Sequence, residues 1–101
     1  GEGGEVIFVP LDRKADAAAK NAVQAWRFYL HSFLRVAAPG EALAHFSPGS
    51  LVIVLSTRAV EKNFLLTFLA DISCKCLWIG PGICQEAERI FKASPGHFFA
   101  Q

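Results

Sequence analysis

The five residues Leu51–Leu55 form an unbroken apolar run, Leu-Val-Ile-Val-Leu, between two segments rich in turn-forming residues. The run is β-branched at positions 52, 53 and 54; it is entered through Ser-Pro-Gly-Ser and left through Ser-Thr-Arg. A short apolar run with such boundaries is typical of a strand buried on both faces, as in the middle of a parallel sheet. We therefore predict that Leu51–Leu55 is the central strand of the fold.

Two further runs have the same character. Residues 6–9, Val-Ile-Phe-Val, are closed by Pro10, which has no N–H to donate to a strand ladder. Residues 76–79, Cys-Leu-Trp-Ile, are followed by Gly80-Pro81-Gly82. Both runs are predicted strands that flank the central one. The sequence leaves two options for residues 97–100: a further strand or a segment docked on the core.

Helical periodicity fills the intervals between these strands. Apolar residues recur at three- and four-residue spacing in residues 14–37, 59–72 and 83–93, and residues 41–46 can form a short helical turn. The order β-α-(short α)-β-α-β-α predicts an α/β fold, a small three-layer sandwich with a short, mainly parallel sheet and a receiver-like or flavodoxin-like outline. Three strands leave two open edges, so we expect a fourth strand from outside this sequence, an antiparallel edge strand within it, or dimerisation across an edge.

The composition is more apolar than that of an ordinary soluble domain. Apolar residues make up 52% of the chain and charged residues 19%, against roughly 45–50% and 25% in typical domains. This surplus predicts an apolar face that needs a protein partner or a second copy of the chain. The formal net charge of +1 excludes a strongly basic polyanion binder.

We expect residues 1–5 to be disordered or foreign to the protein, and residues 6–101 to form a single α/β domain. The chain contains no methionine, so we expect it to be a piece of a longer protein. No apolar run reaches the roughly 18 residues of a membrane span. The three cysteines, Cys74, Cys76 and Cys84, leave one unpaired under any internal scheme, which favours reduced thiols and a cytoplasmic location.

Polar residues and glycines follow each of the three predicted strands. Because ligands of open parallel sheets bind beyond the carboxyl ends of the strands, where helices begin, these loops predict a site for a small anion. Asp12 also stands where the N-cap of the first helix is expected. Capping and turn formation are the alternative role for the same residues. The candidate ligand-binding residues are Asp12, Arg13, Ser56, Thr57, Arg58, Gly80 and Gly82.

The sequence contains no catalytic, metal-binding or cofactor-binding motif, and its motifs identify no family. Gly80-Pro81-Gly82 matches neither the phosphate-binding loop of nucleotide hydrolases nor the Gly-x-Gly-x-x-Gly turn of dinucleotide-binding proteins. Cys84 is a nucleophile candidate, because it begins the third predicted helix and helix N-termini lower thiol pKa values. Cys76 begins a predicted strand, and we expect it to be buried rather than reactive.

A basic stripe runs along the first predicted helix. Lys20, Arg27, His31 and Arg35, with Gln24 between the first two, recur at three- and four-residue steps opposite the apolar face. Such a stripe is typical of the solvent-facing side of a helix, and it is also a candidate surface for an acidic protein partner. Nucleic acid is the least favoured partner, since it is bound by larger clusters of cations.

Two functions follow from these patterns. The first is a non-catalytic regulatory or protein-interaction module that works in a larger protein or as a homodimer. The alternative is a binding domain or enzyme for a phosphate-bearing small ligand at the carboxyl ends of the strands. A fold alone does not choose between them.

Overall fold

A computed structural model describes residues 4–30, 33–38, 40–81, 89, 93 and 97–100. Five strands and two α-helices lie in this part of the chain, in the order β1 (Val6–Pro10), α1 (Arg13–Leu30), β2 (Leu34–Val36), β3 (Leu51–Leu55), α2 (Lys62–Asp71), β4 (Lys75–Ile79) and β5 (His97–Ala100). A single 3₁₀ turn, Leu43–His45, stands between β2 and β3, inside the predicted short helical segment.

The five strands form one parallel sheet with the order β2-β1-β3-β4-β5. In register, Leu51 of β3 pairs with Val6 of β1 on one side and with Lys75 of β4 on the other. The prediction that Leu51–Leu55 is the central strand is therefore confirmed. The order 2-1-3-4-5 is that of flavodoxin-like doubly wound sheets, as the predicted outline required.

The two helices cover opposite faces of the sheet, which we call the α1 face and the α2 face. The chain passes from β1 to β2 in one direction and from β3 to β4 in the other, so right-handed crossovers place α1 and α2 on opposite sides. Phe8, Leu34 and Ile53 are buried with Ala19 and Val23 of α1. The α2 face has the larger core: Ile7, Phe46, Val52, Val54, Leu65, Phe68, Ile72, Cys74, Cys76 and Trp78. The three-layer sandwich is thus confirmed.

The prediction of one helix over residues 14–37 is wrong at its carboxyl end. Helix α1 ends at Leu30, and Leu34–Val36 forms β2, which pairs with β1 from Val6↔Leu34 to Phe8↔Val36. As a strand, Leu34–Val36 buries the Leu34 side chain against α1. The strand also provides hydrogen-bond partners for the backbone groups at the edge of β1. Local periodicity could not show this, because no Gly or Pro interrupts the pattern before Pro39.

The other edge of the sheet is formed by β5, so residues 97–100 are a strand, one of the two options that the sequence left open. The third predicted helix, residues 83–93, lies outside the described residues except for Arg89 and Ala93, whose backbones are helical. Residues 1–3 also lie outside them, whereas the Glu5 carbonyl accepts a hydrogen bond from the Leu51 N–H at 2.8 Å. Neither described helix is long and apolar enough to cross a bilayer.

Candidate functional site

The carboxyl ends of β1, β3 and β4 are tied together by backbone hydrogen bonds. The Leu11 N–H donates to the Leu55 carbonyl oxygen at 2.9 Å, and the Ser56 N–H donates to the Ile79 carbonyl oxygen at 3.0 Å. The strand order reverses between β1 and β3, which is where ligands of doubly wound sheets bind. Six of the predicted ligand residues lie at or beside this edge, and Gly82 lies outside the described residues; the six are Asp12, Arg13, Ser56, Thr57, Arg58 and Gly80.

Asp12 connects two of these loops. Its Oδ2 accepts a hydrogen bond from the Thr57 N–H at 2.7 Å, and its Oδ1 accepts one from the Thr57 hydroxyl at 2.8 Å. Oδ1 also accepts a hydrogen bond from the Ala15 N–H at 2.9 Å, so Asp12 is the N-cap of α1, as its sequence position indicated. One side chain therefore holds the start of α1 against the exit of β3.

These hydrogen bonds lower the pKa of the Asp12 carboxyl below its ordinary value. The Thr57 N–H is the largest cause, the Ala15 N–H follows, and the positive charge of Arg58 adds to them. A carboxyl whose pKa is lowered on folding stabilises the fold above its unfolded pKa, near about 3.9, and this stabilisation is lost as the pH falls through the folded pKa.

We expect the stability difference between the wild type and Asp12→Asn to shrink as the pH falls from about 6 to about 2, because only the wild type loses a charged cap in acid. Urea unfolding midpoints across this range measure the effect. Thr57→Val should weaken the acid dependence in part, since the Thr57 N–H remains. Thr67→Val is the control, because the Thr67 hydroxyl bonds the Asn63 carbonyl oxygen within α2. A difference that stays constant with pH would contradict the role of the Asp12 charge.

Ser56 and Gly80 have structural roles at this edge. The buried Ser56 hydroxyl donates a hydrogen bond to the Arg58 carbonyl oxygen at 2.6 Å and accepts one from the Arg58 N–H at 3.2 Å. A Cβ on Gly80 would lie 2.6 Å from the Ser56 carbonyl oxygen, so only glycine allows the exits of β3 and β4 to approach this closely. Turn formation, the alternative role in the sequence, thus accounts for both residues, and ligand binding by them stays a prediction.

A cleft of about 400 Å³ opens between the start of α1 and the exit of β3. Arg58, Arg13 and Lys14 contribute three cationic side chains, and Asp12 the one carboxylate, whose oxygens already accept hydrogen bonds from Thr57 and Ala15. The cleft is therefore net positive and suited to a small anion. Lys14 was not among the predicted ligand residues, although it follows Arg13 directly in the sequence.

A wider groove, of about 910 Å³, lies along the same edge beside β1 and β2. Leu43 of its lining belongs to the connection from β2 to β3, whose described residues contain one 3₁₀ turn where parallel crossovers usually contain a helix. The groove is mainly apolar, with charged side chains at its margin, among them Asp16, Lys20 and Glu41. Its principal apolar walls are Val9, Leu11, Val36, Leu43, Phe64 and Phe68.

Arg35 does not lie on a helical stripe, and this corrects the sequence prediction. On β2, its two Nη atoms donate hydrogen bonds to the Glu41 carboxylate at 2.9 and 2.7 Å, and its Nε donates to Glu5 Oε2 at 2.9 Å. The guanidinium also lies 5.6 Å from the centre of the Phe46 ring. Glu41 is the main cause that raises the pKa of Arg35, and Arg35 in turn lowers the pKa of Glu41. Arg35 therefore links β2 to the loop that follows it through its hydrogen bonds to Glu41.

Of the other three residues of the basic stripe, the structure describes two, both on α1. Lys20 is exposed on α1 and forms an ion pair with Asp16, with Nζ 2.9 Å from Oδ2. Arg27 lies in α1, and His31 lies outside the described residues. A single exposed pair of this kind contributes about 0.3–0.5 kcal/mol to stability. Partner binding by Lys20, Arg27 and His31 stays a prediction.

The thiols of Cys74 and Cys76 are buried. Burial is the main cause that raises the pKa of the Cys76 thiol to about 12, and burial also raises the pKa of Cys74. The prediction that Cys76 is buried is therefore confirmed, and both thiols are protonated at neutral pH. Cys84 lies outside the described residues, and within the described part no group of His, Cys, Asp or Glu is arranged to hold a metal ion.

The two faces of β3 and β4 differ in how well they are covered. On the α2 face, Val52, Val54, Cys76 and Trp78 are all 0% exposed. On the α1 face, four aliphatic side chains are only partly buried; α1 contacts β1, β2 and β3 but, among the described elements, does not reach β4. We call this surface the open face; its residues are Leu51, Leu55, Leu77 and Ile79. The surplus of apolar residues in the composition is partly located here.

These features define a small doubly wound α/β domain with a net positive cleft at its switch point and a sheet face that the described elements cover incompletely. No protein-family model matches the chain, and no curated protein or solved structure is significantly similar to it. The chemistry of the cleft and of the open face is therefore what bears on function.

Proposed function

We propose that this chain is a non-catalytic, regulatory protein-interaction module, receiver-like in outline, which binds another protein chain or a second copy of itself. The open face carries the proposal. All-parallel sheets are found almost only with both faces covered, and here four aliphatic side chains on adjacent strands stay partly exposed. Covering them removes apolar area from water, at roughly 25 cal/mol per Å². We place the module in the cytoplasm in this proposal, because its three cysteines leave one thiol unpaired in any internal disulfide scheme and reduced thiols are typical of that compartment.

We expect association that depends on the open face. Light scattering of the chain alone measures self-association. Affinity capture identifies a protein partner, and the complex is then reconstituted from the purified captured protein to measure its binding. Wild type and Thr67→Asp, a control on the exposed side of α2, should associate alike, and Leu77→Asp should lose association, because a carboxylate in the apolar contact would be desolvated. A clean monomer that forms no complex dependent on Leu77 would contradict the proposal.

The second candidate function is the binding of a phosphate-bearing small ligand in the switch-point cleft. The observation that favours it is the convergence of Arg13, Lys14 and Arg58 with the amino end of α1, an 18-residue helix. Helix amino ends bind anions through free N–H groups and the helix dipole. This function is compatible with the first, since the cleft lies at the carboxyl edge and the open face lies on the α1 side of the sheet.

We expect inorganic phosphate or a nucleotide to raise the melting temperature if the cleft is a ligand site. A ligand at a hundred times its Kd stabilises the folded chain by about 2.7 kcal/mol. Arg58→Ala should abolish the rise, and Lys20→Ala should keep it, because Lys20 is a cation outside the cleft. A rise that Arg58→Ala retains would contradict binding in the cleft.

A further inference from the structure

We propose that the open face binds an acidic amphipathic helix of a protein partner, laid beside α1, with a carboxylate of that helix paired to Lys75. The inference rests on the proposed function and specifies the chemistry of its partner. Three observations support it: the dimensions of the open face, the three alanines on the adjoining flank of α1, and the charge at one end of the face.

The dimensions fit a short helix. On the α1 face, β3 and β4 are joined in three register rows, Leu51↔Lys75, Ile53↔Leu77 and Leu55↔Ile79. Each strand has five residues, so the face is about 17 Å long at 3.3 Å per residue. A helix of about 11 residues, at 1.5 Å per residue, has the same length. The face thus accommodates about three helical turns.

Between residues 18 and 25, the flank of α1 next to the open face consists of small side chains. Asp16 and Lys20 line the groove beside β2, and the 100° step of an α-helix places Ala18, Ala22 and Ala25 on the opposite flank, toward β3 and β4. Ala22 packs against the core of the α1 face, and the other two are exposed. Small residues let a second helix approach within the 8–10 Å or so of close helix packing.

Lys75 determines the charge that the partner must carry. Strand alternation places Lys75 on the same face as Leu77 and Ile79. Its side chain is exposed and, in the described part of the chain, forms no ion pair, and the other five positions of the three rows are aliphatic. A helix with an apolar stripe and a carboxylate at the Lys75 end complements this surface, and a basic helix is repelled.

Binding of two designed peptides tests the proposal. Both are fluorescein-labelled helices of about 14 residues with an apolar stripe of leucines at i, i+3, i+4 and i+7. At the end of the stripe that is to lie beside Lys75, one peptide has Glu and the other has Lys. We expect the wild type to bind the Glu peptide about five- to tenfold more tightly in fluorescence polarisation. Lys75→Glu should reverse this preference, Lys75→Ala should abolish it while keeping affinity, and Leu77→Asp should abolish binding. Thr67→Asp is the control that should match the wild type.

Circular dichroism and urea midpoints establish that each variant is folded, and Lys75→Ala keeps every aliphatic side chain of the open face. Equal affinity for both peptides in the wild type, or a preference that Lys75→Glu leaves unchanged, would overturn the inference. A dimer that Leu77→Asp dissociates, without peptide binding, would overturn it in favour of a second copy and leave the proposed function standing. A monomer that binds neither peptide and no captured protein would overturn both.

Discussion

Leu65→Ala is expected to destabilise the fold by about 2–5 kcal/mol, and Leu77→Ala by about 1 kcal/mol. The two changes delete the same atoms from opposite sides of the sheet. Leu65 of α2 is 0% exposed in the core of the α2 face, so its loss leaves a cavity among close-packed neighbours. Leu77 lies on the open face, where water replaces the deleted atoms. Urea unfolding of both variants, with wild type as reference, measures the difference.

Equal costs for the two leucine variants would contradict the difference in coverage between the two faces. That result would also remove the main support for an interaction module, because the proposal depends on incomplete burial of the open face. A small cost for Leu77→Ala is what a binding surface requires, since its residues are kept for the complex more than for the stability of the free chain.

Trp78→Ala is expected to cost about 3–5 kcal/mol. The Trp78 ring is 0% exposed and meets the Phe68 ring edge to face, with the ring centres 5.6 Å apart. Trp26 is the matched control, because it is 40% exposed and contacts Phe8 at 5.4 Å between ring centres. Trp26→Ala should therefore cost less than half as much. Urea midpoints compare the two, and a larger cost for Trp26→Ala would contradict the assignment of the main core to the α2 face.

The strands with continuous apolar runs were predictable from the sequence. A run such as Leu51–Leu55 is buried on both faces of a parallel sheet wherever its neighbours lie, so local composition is enough to recognise it. The N-cap at Asp12 was predictable for a similar reason, since a carboxylate before a helix satisfies N–H groups only three residues away. The position of the candidate site at the carboxyl edge followed from the general rule for parallel sheets, and ligand binding there stays a prediction.

The strand β2 was not predictable in the same way. The segment Leu34–Val36 has three residues and continues the spacing of the helix before it, and it becomes a strand because β1 presents a free edge beside it. Arg35 changes role with it, from a member of a helical stripe to a residue held by Glu5 and Glu41. Neither carboxylate could be identified as its partner from spacing along the chain.

The apolar runs, the turn residues and the helix cap thus determine, through short-range physical chemistry, a small parallel α/β sandwich with Leu51–Leu55 at its centre. Packing determines the hydrogen bonds between Asp12 and Thr57, which are 45 residues apart, and the partial exposure of Leu77 and Ile79. These features depend on which strands lie side by side and how far α1 extends across the sheet, and no local pattern encodes either. The surfaces that carry the proposed function belong to this second group.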